Sequence, residues 1–327
     1  MEEHMDHRRE ALRARRAARA SVLRRRRAGL AVAAVALVAA VLVVSVMASG
    51  HPARSGHAGT NRQVGRATTS RVGGRGTAPG GTPAGASTTT TGSTLSEVAA
   101  VRRLAAYGLP LFCGGSSKRM VALTFDDGPG PYTPLAIKKL REARLRATFF
   151  LVGKEIRAYP GLAGLEKPYS AAGDHTMTHP FLPGLSEAAM TQEIAGAKAL
   201  IEQATGRPVA LFRPPYEGRS PAISAEVKAL GLLEVLWSTD SADSLGANYA
   251  GIEHNVVAGL RPGSIILMHE NRGQTIRALP VIFAALAREH LRAVTVPELV
   301  AEDPPSPAQL RAGGRGCGVS ARSGSGG

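Results

Sequence analysis

Six short apolar runs punctuate the middle of the chain: Val121 to Phe125, Ala147 to Val152, Val209 to Phe212, Leu232 to Trp237, Ser264 to Met268 and Leu291 to Val296. Each has the length of a β-strand, and between several of them apolar residues recur at helical spacing, over Pro134 to Ala143, Ser186 to Ala204 and Thr275 to Arg288. The second of these helices is opened by Ser186 with an acidic first turn. Strand and helix in alternation predict parallel pairing with the helices outside, as a doubly wound sheet or an α/β barrel. Asp126, Arg213, Asp240 and His269 each follow or close one of the runs. In a barrel, polar groups at strand C-termini line the mouth of an active site.

The pattern changes at both ends. Ala28 to Ser49 is a stretch of 22 uncharged residues, nearly all Ala, Val and Leu, long enough at 1.5 Å per residue to cross a hydrocarbon layer of ~30 Å. Arg24 to Arg27 precede it, which predicts a transmembrane helix over 28–49, a basic cytoplasmic segment over 1–27 and everything after Gly50 outside the membrane. A cleaved export leader ending near Ala48-Ser49-Gly50 is the alternative, giving a secreted protein. Residues 50–95 are dominated by Gly, Ser, Thr, Pro, Ala and Arg and predict a flexible linker. The domain is then expected over 96–302, with a disordered tail over 303–327.

Charge sharpens this division. The net charge is +15, but residues 96–302 carry 22 basic and 20 acidic side chains, so the excess lies in the flanks. A nucleic-acid-binding domain, whose basic residues stripe a folded surface, is therefore excluded as an expectation, and no specific protein partner is predicted. Cys113 and Cys317 lie on the exported side, where disulfides persist; they are read either as a bridge or as two free thiols.

Candidate chemistry sits at the strand ends. Thr124-Phe125-Asp126-Asp127-Gly128-Pro129 places two carboxylates side by side. On an extended segment they project to opposite sides, so that one binds a metal while the other takes a proton; an Asp-Gly-Pro turn capping a strand is the plainer reading. His175-Thr176-Met177-Thr178-His179 brings two imidazoles to one helical or turn face, and with Asp127 they make the three N/O ligands of a catalytic zinc site. In Arg213-Pro214-Pro215-Tyr216 an arginine fork can hold a carboxylate ionised, and the prolines make a rigid turn that fixes the Tyr216 amide as an oxyanion donor. Asp243 is the candidate partner that holds His269 protonated as a general acid. Trp237, the only tryptophan, is read as core packing.

The order TFDDGP, HTMTH, RPPY, WSTDSAD, ILMH resembles the five-motif set of the polysaccharide deacetylases, carbohydrate esterase family 4, over about Val121 to Val300. The resemblance implies a NodB homology domain, a distorted, incomplete (β/α)7 barrel that removes N-acetyl or O-acetyl groups from polymers such as peptidoglycan, chitin or xylan. It implies a divalent metal, commonly Zn2+ with Co2+ or another transition metal as substitutes, held by Asp127, His175 and His179. Asp126 is then the general base tethered by Arg213, Tyr216 supplies the oxyanion amide, and Asp243 orients the acid His269. The expected partners are an acetylated polysaccharide and, through the N-terminal helix, the membrane. A relative that binds glycan without turnover is the alternative.

Three departures from the family pattern carry expectations of their own. Glu217 stands where the family has glycine, and Ser244 where it has tryptophan. Tyr169 to Asp174 runs straight into His175, without the few residues the family usually has there, and Pro168 interrupts the preceding helix. This predicts a truncated third strand and displaced histidines.

Overall fold

The computed structural model describes residues 88–165 and 169–318. The membrane helix expected over 28–49, the basic segment expected over 1–27 and most of the expected linker lie outside the described residues. Among those described, no helix is long and apolar enough to cross a membrane.

The centre of the fold is β1 (Met120–Gly128), whose residues are almost all buried. It pairs in parallel with β2 (Ala147–Leu151) on one side and β7 (Ile265–His269) on the other, and its first residues also pair with β8 (Arg292–Val294). Beyond β2 come β3 (Ser170–Asp174), β4 (Leu211–Phe212) and β5 (Leu233–Glu234); beyond β7 comes β6 (Thr239–Asp240). Every ladder is parallel, and no ladder joins β5 to β6 among the described residues, so the sheet curls into an open half-barrel.

Strand alternation decides what faces inward. Val121, Leu123 and Phe125 pack with Phe149, Leu151, Ile266 and Met268 against the outer helices. The outer helices include α2 (Thr133–Ala143), α5 (Glu187–Thr205) and α8 (Gly273–Arg288). Met120, Ala122, Phe150, Leu211 and Ile265 form the inner cluster. The period of two that puts Ala122 inside also puts Thr124 and Asp126 inside, so the apolar interior gives way to polar groups toward the strand C-termini. The short α3 (Gly153–Ala158) and α4 (Leu162–Leu165) follow β2. The remaining outer helices are α6 (Pro221–Ala229) and α7 (Tyr249–Gly259).

Three expectations about the chain's layout are corrected. The third strand is not truncated: all five residues of β3 pair with β2, from Ala147 with Ser170 to Leu151 with Asp174. Its register is held by backbone bonds, and its small residues suit the site, since a Cβ at Gly173 would come within 2.5 Å of the Phe150 ring. The linker expected to run to residue 95 ends earlier, because α1 (Thr88–Ala105) begins inside it. Ala100, Val101 and Leu104 of α1 pack with Leu299 and Val300 of α9 (Val296–Glu302) and close the inner cluster opposite the polar end.

The tail expected to be disordered from Asp303 is instead ordered to Gly318. Asp303 is buried and accepts hydrogen bonds from Ser117 Oγ and from the Lys118 amide at 2.7 Å. Ser306 and Gln309 then form a reciprocal capping box on α10 (Pro307–Ala312), which buries Leu310. Cys317 is joined to Cys113 in a disulfide with Cα atoms 5.8 Å apart. Glycine and serine content alone hid these anchors.

Candidate active site

The site is built where β1, β3, β4 and β7 end. Asp126 pairs across the ladder with His269, so the two inward side chains are neighbours on adjacent strands. Asp127 does not project to the opposite side as extended geometry predicts. Its φ of 69° is left-handed, and the β1–β2 register shifts between Asp126 and Gly128, which turns the second carboxylate back into the mouth. Asp126 Oδ2 and Asp127 Oδ1 consequently lie at the same distance, 3.7 Å, from His175 Nε2.

The segment 175–179 is a turn and not a helix. Asp174 Oδ1 accepts the Thr176 amide at 2.7 Å, Thr176 takes φ 70°, and Thr176 Oγ1 accepts the His179 amide at 3.1 Å. Glu193 on α5 binds the outside of the turn through the Thr178 amide and hydroxyl at 2.8 and 2.7 Å. His175 Nδ1 is 2.6 Å from the Arg213 carbonyl. A carbonyl only accepts, so Nδ1 carries the proton and Nε2 presents its lone pair to the carboxylates. Burial outweighs the nearby charges of Asp126 and Asp127 and lowers the His175 pKa to about 4, which keeps this imidazole neutral. His179 Nε2 lies 3.1 Å from Asp127 Oδ1.

Arg213 is the largest fully buried side chain among the described residues. Nη1 donates to Asp126 Oδ1 at 2.7 Å and to Thr124 Oγ1 at 2.8 Å; Nε and Nη2 donate to the Val235 and Leu236 carbonyls, both at 3.1 Å. Its guanidinium stacks on Phe150 at 4.1 Å and lies 5.6 Å from the ring of Trp237, which is partly buried against the inner cluster. One oxygen of Asp126 is thus occupied, leaving Oδ2 turned to the mouth.

Across the mouth, Asp243 Oδ1 lies 2.7 Å from His269 Nδ1, and Oδ2 accepts the His269 amide at 2.7 Å and Thr275 Oγ1 at 2.6 Å. Burial disfavours the charged imidazole, but the bond and charge of Asp243, with Asp126 and Asp127, outweigh it and raise the His269 pKa to about 9. Burial of Asp243 is likewise outweighed by His269, which holds the carboxylate below its ordinary range. His269 is therefore an imidazolium at neutral pH.

Tyr216 and Glu217 follow the two prolines with φ of 59° and 55°. The position where glycine was expected is one that glycine adopts without cost and glutamate does not. The Tyr216 ring packs edge-on against His179 with centroids 4.6 Å apart. Ser244 is exposed beside Asp243.

Asp127, His175 and His179 each offer one ligand atom, all within 4.8 Å of one another. Asp127 Oδ1 is buried and lacks a well-directed hydrogen bond. Burial would raise its pKa, yet His179 and the charges of His175 and His269 hold it far below the ordinary range. A carboxylate oxygen and two imidazole nitrogens converging in this way fit a divalent cation.

The chain matches the model of the polysaccharide deacetylase family over residues 114–235. It is 34% identical over 192 residues to a peptidoglycan-N-acetylglucosamine deacetylase of Bacillus cereus, an alignment covering 57% of this chain and 90% of that protein. This chain belongs to the polysaccharide deacetylase family. This chain is also 34% identical over 203 residues to a chitooligosaccharide deacetylase of Bradyrhizobium sp., covering 56% of this chain and 92% of that protein. A solved family 4 carbohydrate esterase from Streptomyces lividans in complex with acetate superposes with a TM-score of 0.54 at 33% identity, covering 60% of this chain and 99% of that one.

Local sequence pattern missed four residues that the fold brings to this site. Thr275 and Glu193 reach it from helices 32 and 15 positions away from their partners, with no motif to signal them. Asn271 Nδ2 donates to Asp127 Oδ2 at 3.2 Å. Glu270 is fully buried beneath the β1 turn and bonded to Thr133 Oγ1. Its burial, with the charges of Asp127 and Asp126 and against the Thr133 bond, raises its pKa to about 8.

Proposed function

We propose that this polysaccharide deacetylase hydrolyses the N-acetyl group of peptidoglycan N-acetylglucosamine, using a divalent metal, preferentially zinc, held by Asp127, His175 and His179. The reading is carried by the convergence of those three groups beside Asp126 and His269. Such an ion, when bound, polarises the acetamide carbonyl and lowers the pKa of water toward 7.

The side chains divide the remaining work. Asp126, oriented by Arg213 through Oδ1, accepts the proton of the attacking water at Oδ2. The water oxygen bonds to the acetyl carbon, and the Tyr216 amide, on its proline-fixed turn, serves as donor to the tetrahedral oxyanion. His269, protonated and locked by Asp243, delivers its proton from Nε2 to the leaving nitrogen. The C–N bond breaks to give acetic acid and an amine, which exchange the carboxyl proton to leave as acetate and an ammonium group. The proton taken by Asp126 passes through solvent to recharge His269.

The working location proposed is outside the cytoplasmic membrane, either anchored by residues 28–49 or released if they are cleaved. The Cys113–Cys317 disulfide supports an oxidising compartment, and a tethered enzyme favours a substrate in the cell's own envelope. The test is acetate release by the full chain from peptidoglycan, chitooligosaccharides and acetylxylan, with zinc and with a chelator. Release from peptidoglycan that the chelator abolishes is expected. Preference for either other polymer overturns the substrate, and a zinc-loaded protein inert on all three would be a glycan-binding relative.

A further inference from the structure

Three consecutive residues at the end of β7 touch the segment that carries Asp127, and only His269 has a part in the reaction proposed above. Glu270 continues the β1–β7 pairing, its amide donating to the Asp126 carbonyl at 3.2 Å. Its carboxyl group is fully buried, bonded at Oε2 to Thr133 Oγ1 and without a protein partner at Oε1. A half-partnered buried carboxyl costs stability, so its retention calls for an explanation.

The surrounding contacts supply one. Gly128 makes the room: a Cβ there would overlap Glu270 Oε1 and Cδ. Thr133 Oγ1, bonded to Glu270, also accepts the Gly130 amide at 2.8 Å. The turn from Gly128 to Thr133 is thus draped over the Glu270 side chain, in contact at one end and hydrogen-bonded at the other. That turn directly follows Asp127, whose left-handed φ needs a firm support. Asn271 adds a second restraint by donating to Asp127 Oδ2, while Oδ1 is the oxygen facing His175 and His179.

We propose that Glu270 and Asn271 are positioning residues for the metal ligand Asp127. Glu270 fixes the turn on which the aspartate stands, and Asn271 holds back Oδ2 so that Oδ1 alone faces the ion. This rests on the metal reading of the site. Groups that orient a ligand in this way typically change metal affinity by about 10- to 100-fold.

The test is zinc affinity of the full chain by competition with a chromophoric chelator, alongside the melting temperature of the zinc-free protein. Asn271 is exposed, so Asn271→Ala is expected to weaken zinc by about 10- to 100-fold with the zinc-free melting temperature unchanged. Thr133→Val, which keeps the volume but severs the link to Glu270, is expected to weaken zinc as well, and Thr133→Ser to restore it. Wild-type zinc affinity in both Asn271→Ala and Thr133→Val overturns the proposal. Failure of the unmodified chain to bind zinc would instead remove the metal reading beneath it.

Discussion

The two halves of the active-site mouth are built on opposite principles. On the β7 side, both oxygens of Asp243 are occupied by His269 and Thr275, and the charges of aspartate and imidazolium compensate each other. On the β1 and β3 side, the lone pairs of His175 Nε2 and Asp127 Oδ1 face one another with no proton between them. The first half is complete in the protein alone, whereas the second presents converging lone pairs whose chemistry suits a positive charge. Arg213 stands at the boundary, satisfying one oxygen of Asp126 and leaving the other to the reaction. An acid that must be protonated before substrate arrives is best served by a finished hydrogen-bond network, and an ion site by converging lone pairs.

Substitutions should separate the halves. Asp126→Asn and His269→Ala are expected to lower kcat by about a hundredfold to ten-thousandfold while zinc binding persists. His175→Ala should abolish both, as acetate assays with metal analysis would show. Arg213→Met leaves Asp126 buried without its partner, and urea unfolding should register a loss of about 3–5 kcal/mol. Away from the mouth, replacing Cys113 and Cys317 by alanine removes a crosslink spanning 204 residues; the same assay should give a loss of about 2–5 kcal/mol, matched by adding reductant to the unmodified chain.

The halves also fail at opposite ends of the pH scale. In the zinc-free protein His269 has its folded pKa raised to about 9, so its contribution is full below the unfolded value of ~6.5 and is lost as pH rises through 9. His175, lowered to about 4, contributes above ~6.5 and loses that contribution as pH falls through 4. NMR titration of the two imidazoles should show midpoints on either side of neutrality, and Asp243→Asn should lower the His269 midpoint alone. The smallest effect is at Glu217, where Glu217→Gly relieves a positive φ and should stabilise by about 0.5–1 kcal/mol in thermal melts.

What the sequence made legible follows the physics of each element. Strands β1, β2 and β7 are buried on both faces, so they read as apolar runs, and the polar residues closing them mark the mouth. Strand β3, Ser-Ala-Ala-Gly-Asp, has no such run because backbone pairing and a close fit to Phe150 define it, and β6 has only two residues. The turn of Asp127 toward Asp126 depends on one left-handed φ, which no periodicity carries. Asn271 lies 144 positions from its partner and could not be found from local pattern. The ordered tail escaped notice because one leucine, one capping box and one disulfide anchor a segment whose composition resembles a linker.

The central claim is that Asp127, His175 and His179 share one cation. Anomalous diffraction at the zinc edge from crystals of the zinc-loaded protein tests it most directly. The account predicts a single strong peak about 2.0–2.2 Å from Asp127 Oδ1 and from Nε2 of both histidines. A peak elsewhere, or none at this position in protein shown to be folded and exposed to saturating zinc, would contradict it.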